Sequence, residues 1–183
     1  MKVVITGGGG FLGNQLARKL VRRGSLCGIS GKSETIDELV IFDKIMSQQT
    51  RDGLGEPVRF VEGDIANRDL IFSLIDRDDI SVFHLASVVS SEGEQNFDLA
   101  MHVNLKGRQN VFEACRARNS LPRVVFASSI AVFGGNAMPS VVSDTTKPIP
   151  QTTYGVTKFI CELMVNDYSR KSFFNGRSAR LPT

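Results

Sequence analysis

The chain has 183 residues, 42% of them hydrophobic and 22% charged, and a formal net charge of +3. A chain of this length supports one substantial core and leaves little room for two full domains. Its small, scattered basic excess argues against nucleic acid as a partner, and no apolar run reaches the roughly 18 residues that a membrane span requires.

Short runs rich in Val, Ile, Leu and Phe alternate with amphipathic stretches, the order of a parallel sheet covered by helices on both faces. Residues 2–6 are the first such run, entered directly from Met1 with no leader-like pattern, and residues 11–23 are the first helix. Arg18, Lys19, Arg22 and Arg23 read as the wet face of that helix. A loop over 24–35, rich in Gly, Ser and Lys, lengthens the first crossover. Strands follow at 38–42 and 58–62, then a helix at 67–76, a strand at 82–86, a helix at 97–118 and a strand at 123–128. The loop over 136–153 carries Pro139, Pro148 and Pro150 and leads to a helix at 154–172. A long loop so placed is either a lid or substrate wall, or a plain surface connection. A sixth strand begins near 177, and the sheet is expected to be unfinished at Thr183. With right-handed crossovers these elements make one incomplete α/β unit over residues 1–183, a doubly wound parallel sheet of the Rossmann type.

Cys27, Cys115 and Cys161 are widely separated, and His84 and His102 are the only histidines. That spacing offers neither a disulfide frame nor a metal site, so a reduced, cytoplasmic protein without a metal is expected.

Thr6-Gly7-Gly8-Gly9-Gly10-Phe11-Leu12-Gly13 joins the first strand to the first helix. Gly7 permits the tight turn, Gly10 lets the backbone approach a pyrophosphate, and Gly13 lets helix and strand pack closely. The helix start then offers N–H groups and a positive dipole end to the phosphates. Asp43, ending the second long strand, is placed to accept hydrogen bonds from both hydroxyls of the adenosine ribose and to repel a 2′-phosphate. The pattern therefore favours NAD over NADP, although the adjacent Lys44 is a cation able to tolerate that phosphate. Asp43 lies further from the glycine loop than is usual because of the insertion at 24–35. Asp64 and Ile65 either meet the adenine edge or cap the helix that follows.

Tyr154 and Lys158 are four residues apart and so neighbour each other on one helical face. A free tyrosine has a pKa of about 10, and lowering it by about 3 units needs about 4 kcal/mol. A close ammonium and a positive nicotinamide ring supply that in a partly dry site. The phenolate then takes the proton of a secondary alcohol while its hydride leaves for the nicotinamide. Ser129, at the end of the fifth strand, is positioned to hydrogen-bond the same oxygen.

These motifs, with Gly63-Asp64-Ile65, His84-Leu85-Ala86-Ser87, Val103-Asn104, Gly107 and Ser128-Ser129-Ile130-Ala131-Val132-Phe133-Gly134, resemble the extended short-chain dehydrogenase/reductase family, also described as NAD-dependent epimerases/dehydratases. The spacing of 25 from Ser129 to Tyr154 suits that family. The resemblance covers the whole chain and implies NAD as cofactor, with Phe11, Leu12, Leu85, Ala86 and Ser87 lining it, Asn104 near it, and Ser129, Tyr154 and Lys158 as the catalytic set. Residues 88–94, 131–135 and 160–170 resemble those of a group that oxidises the C2 hydroxyl of a four-carbon sugar acid, D-erythronate. On that reading the polar loop 90–94, Ser90 above all, binds substrate hydroxyls together with Ser129 and Tyr154; its alternative is a plain surface turn. The family pairs helices equivalent to 97–118 and 154–172 in a homodimer, and its members continue well beyond this length into a substrate-binding region that is missing here. Phe133 stands where many sugar-nucleotide epimerases carry tyrosine. Two other functions stay open at this point: a nucleotide-sugar epimerase or dehydratase, and a non-catalytic, truncated NAD-binding module.

Overall fold

The computed structural model describes residues 1–136 and 138–182. Ala137, in the proline-bearing loop, and Thr183, where the sheet was expected to stop, lie outside the described residues. In chain order the elements are β1 (Lys2–Thr6), α1 (Phe11–Arg23), β2 (Ser25–Cys27), β3 (Ser33–Thr35), β4 (Glu38–Asp43), α2 (Gln48–Arg51), β5 (Val58–Glu62) and α3 (Arg68–Leu74). They continue with β6 (Ile80–His84), α4 (Ser90–Gln95), α5 (Phe97–Ala100), a π-helical turn (Met101–Gly107), α6 (Arg108–Arg116), β7 (Arg123–Ser129), a 3-10 turn (Ile130–Val132), α7 (Thr153–Arg170) and β8 (Asn175–Leu181).

Six strands form one parallel sheet in the order β5-β4-β1-β6-β7-β8. β1 is the centre from which the chain winds first one way and then the other. Side chains alternate across it: Val4 enters the core under α3, α6 and α7, while Val3 and Ile5 enter the core under α1. Burial on both faces is why these strands read as continuous apolar runs. The order reverses beside β1 and β6, so the loops after those two strands flank the crevice where doubly wound sheets bind ligands.

Several boundaries differ from the sequence reading. β6 lies two residues upstream of 82–86, because Ile80 and Ser81 pair with Lys2 and Val3. Leu85 N–H still bonds Thr6 O at 3.0 Å, after which residues 85–87 peel away to line the crevice. The 24–35 segment is an antiparallel hairpin, β2 with β3, turning at Gly28 and Gly31. Its three-residue strands are too short and too exposed to show a period-2 pattern. The 97–118 helix is divided by its π-helical turn, and 90–94 is the helix α4 in place of a loop.

Candidate active site

Two cavities meet at a shared wall of Gly7, Gly10, Leu85 and Ser87, at the carboxyl ends of β1 and β6. The first, of about 310 Å³, is lined also by Phe42, Asp43, Lys44, Gly63, Asp64, Ile65 and Ala86. The second, of about 320 Å³, adds Phe11, Leu12, Gly13, Ser128, Ser129, Tyr154 and Lys158. The glycine loop thus stands between a pocket with an acidic rim and a pocket with a phenol, an ammonium and a hydroxyl.

Three glycines shape this part of the crevice. Gly7 has φ +74°, and a Cβ there would lie 2.5 Å from Ala86 N, so only glycine lets the two crevice loops touch. At Gly13 a Cβ would lie 2.3 Å from Gly7 O, which fixes the close packing of α1 on the loop. Gly10 differs: only Gly7 O, at 3.4 Å, comes near its Cβ position. It opens α1 in an extended conformation, with no side chain capping the first turn. Bare N–H groups at a helix start beside an uncrowded glycine fit a pyrophosphate.

Asp43 lies at the end of β4, where Oδ2 accepts from Gly9 N–H at 2.9 Å and Oδ1 from Lys44 N–H at 2.7 Å. The carboxylate is thereby aimed along the rim of the first cavity. Asn67, and not Asp64, caps α3, its Oδ1 accepting from Leu70 N–H at 3.1 Å. Asp64 instead turns its own loop through Ala66 N–H and meets His102 Nε2 at 2.9 Å; the His102 contact holds its carboxyl below the usual range.

α7 carries the second cavity's chemistry. Thr152 Oγ1 accepts from Gly155 N–H at 3.0 Å, and Glu94 of α4 accepts from Thr153 N–H at 2.6 Å. A Cβ on Gly155 would lie 2.2 Å from Ala131 O, so this glycine seats α7 against the 3-10 turn that follows Ser129. That contact brings Tyr154 and Ser129 into one pocket. Ser129 Oγ accepts from Ala131 N–H at 3.1 Å, which leaves its O–H to donate. Lys158 is 2% exposed; its Nζ donates to Ala127 O at 2.6 Å and stands 5.2 Å from the centre of the Tyr154 ring. Burial first, and the Arg108 charge second, hold its pKa well below the usual ammonium range.

Two expected residues line neither cavity. Asn104 is fully buried behind the wall: its Oδ1 accepts from Val88 N–H at 2.7 Å and Ser87 Oγ at 3.1 Å, and its Nδ2 donates to Val88 O at 3.1 Å. Its role is to hold the loop that lines the crevice. Ser90 begins α4, whose Glu94 supports α7, so this segment holds other parts of the site.

A layer that sequence reading missed lies underneath. Ser128 Oγ donates to Glu162, whose carboxylate takes a forked contact from Arg180 Nε at 3.0 Å and Nη2 at 2.8 Å. His84 is buried, and burial pushes its pKa well below the ordinary range. Arg108 Nε donates to His84 Nε2 at 3.0 Å, so the neutral ring carries its proton on Nδ1 and donates it to Thr6 Oγ1 at 2.6 Å. Among the described residues no group of three or more His, Cys, Asp or Glu is disposed to hold a metal, and no helix is long and apolar enough to cross a membrane.

The model of the 3-beta hydroxysteroid dehydrogenase/isomerase family matches residues 4–183. The chain belongs to that family. It is 47% identical over 183 residues to the D-erythronate dehydrogenase of Cupriavidus necator, matching 100% of this chain and 55% of that protein. It is 40% identical over 184 residues to the D-erythronate dehydrogenase of Haemophilus influenzae, again over 100% of this chain and 55% of the relative. The chain thus spans about half the length of these curated relatives. Among solved structures it resembles a nucleoside-diphosphate-sugar epimerase from Agrobacterium tumefaciens, with a TM-score of 0.86 and 35% identity over 100% of this chain and 53% of the other. The extended dehydrogenase/reductase resemblance and the doubly wound parallel fold expected from the motifs both hold.

Proposed function

We propose that this chain binds NAD across the two cavities and serves a dehydrogenase that oxidises a secondary alcohol of a small sugar acid, D-erythronate at C2. The observation that carries the reading is the shared wall: Ser129, Tyr154 and Lys158 line a cavity that meets the Asp43 cavity at Gly7 and Gly10. The 47% identity to a D-erythronate dehydrogenase supports the substrate.

The residues fit a dinucleotide. The uncapped first turn of α1 and the uncrowded Gly10 receive the pyrophosphate, Asp43 the adenosine ribose, and Ile65 and Ala86 the apolar ring edge. NAD, when bound, supplies the acceptor for the hydride. Tyr154 takes the alcohol proton at its phenolic oxygen. Ser129 donates to the same substrate oxygen as its charge changes. Lys158, held by Ala127 O, presents a proton-exchanging amine beside the phenol. Phe11, Leu12 and Val89 give the pocket its apolar lining.

Further proposals are a cytoplasmic protein and a homodimer packed through α5, α6 and α7, where Phe97, Val156 and Leu163 are exposed. Sedimentation of the wild type against Leu163→Glu reads the dimer directly.

The Agrobacterium epimerase favours a second reading, nucleotide-sugar epimerisation on the same acid–base set. Incubation with D-erythronate and NAD separates the two. A dehydrogenase accumulates NADH in step with the oxidised acid. An epimerase accumulates none, and instead interconverts a nucleotide sugar.

A further inference from the structure

Arg108 opens α6 directly after the π-helical turn, and it is fully buried. A guanidinium taken out of water is costly unless an anion pairs with it. Among the described residues the acceptors it reaches are all neutral: His84 Nε2 at 3.0 Å, and the carbonyls of Thr157 and Ala86 at 3.5 Å. Its Cζ stands 4.4 Å from the centre of the Phe126 ring, and Lys158 Nζ stands 5.2 Å from the same centre. The titratable groups around the two cations are His84 from β6 and Tyr154 and Cys161 from α7. Glu162, the buried carboxylate further along α7, is engaged by Ser128 and Arg180.

We propose that Arg108 is a positioning residue for the Tyr154–Lys158 pair, its permanent charge held beneath the site by His84 and Phe126 to favour loss of the pair's proton. The proposal rests on the proton-transfer reading of that pair given above. Its contacts reach each part that places the pair. Thr157 precedes Lys158, Phe126 precedes the Ala127 carbonyl that holds Nζ, and Ala86 belongs to the dinucleotide wall. An arginine does not itself deprotonate in a protein. The repulsion between two buried cations is therefore relieved by a proton leaving Lys158, or by negative charge on Tyr154. Asn104 within the π-helical turn and Arg108 directly after it, four apart, lie on the same inward face, one holding the crevice loop and the other lying under the pair.

The chain holds two tyrosines and no tryptophan, so tyrosinate absorbance resolves Tyr154 in the full chain. Burial and the Glu113 carboxylate push the other tyrosine, Tyr168, up to about 12, and comparison with Tyr154→Phe identifies the phase that belongs to Tyr154. The two cations lie within roughly 10 Å of each other, and at an effective dielectric near 20 a fixed charge at that distance shifts a titration by about one pH unit. In a Lys158→Met background, where no second cation can take up the lost charge, Arg108→Gln and Arg108→Met are expected to raise the Tyr154 midpoint by at most about that much, and Arg108→Lys to restore it. With Lys158 present, a proton regained by its amine offsets the lost charge, so the Lys158→Met background is the one in which the phenol senses Arg108 alone. A midpoint unmoved by the neutral variants in the Lys158→Met background, or moved equally by Arg108→Lys, overturns the proposal and leaves Arg108 as packing. Absence of NADH formation from D-erythronate by the wild type would instead count against the dehydrogenase reading, while the titration still decides the role of Arg108.

Discussion

Asp43 shows how far a single residue can be read. Its position after the second long strand was visible in the sequence, and in the fold its carboxylate is oriented by Gly9 and Lys44 N–H groups along the rim of the first cavity. Replacing it with alanine removes the carboxylate proposed to accept from the ribose and to repel a 2′-phosphate, while Lys44 remains at the rim. Asp43→Ala should weaken NAD binding about tenfold and narrow the NAD-over-NADP preference by at least as much, on the order of 1.4 kcal/mol, as read by titration with each dinucleotide. Ser129, Tyr154 and Lys158 were legible for the same reason as Asp43, because their spacing along a strand end and a helix survives in the linear order. Arg108, Glu162 and Arg180 were not. A charged residue on a helix or strand normally reads as solvated, and only the tertiary arrangement turns these three inward.

At the scale of elements, the central strands were plain in the sequence because both faces are buried, whereas the ends of elements depended on partners elsewhere. β6 was misplaced by two residues since its end is set by where the crevice loop leaves β1, and the π-helical turn has no compositional mark. β8 meets the site through Leu181, which lines the second cavity, and through an ion pair: Arg180 grips Glu162 of α7, which in turn receives Ser128 of β7. Removing Arg180 leaves a carboxylate with a 6% exposed side chain unpaired. Arg180→Met should therefore destabilise the chain by about 3 kcal/mol, and the double change with Glu162→Leu should recover much of that, a pattern that denaturant midpoints would reveal. Equal losses in the single and double variants would mean that β8 is held by backbone pairing alone.

For the molecule as a whole, one end of the sheet is tied by charge. Asp37 is bonded by Arg77 and by the terminal ammonium of Met1, and these contacts, Arg77 first, lower its pKa from 3.8 to about 2. A carboxyl held lower in the folded state contributes stability that is complete above the unfolded value and is lost as pH falls from about 4 to about 2. The Asp37 side chain is 51% exposed, so the contribution is modest and screened by salt. Asp37→Asn should flatten the acid side of the melting-temperature profile, most visibly at low ionic strength; an unchanged slope would place the acid sensitivity elsewhere. The opposite end of the sheet holds the candidate site, where loops from β1, β4, β5, β6 and β7 and the start of α7 converge on the two joined cavities. On the proposed function, Tyr154 performs proton transfer at a site whose dinucleotide cradle is independent of it. NADH formation from D-erythronate, measured beside NAD affinity in the wild type and in Tyr154→Phe, tests this most directly. A rate at least about 100-fold lower with NAD affinity unchanged within a few-fold is the predicted result. Turnover by Tyr154→Phe at the wild-type rate would contradict it.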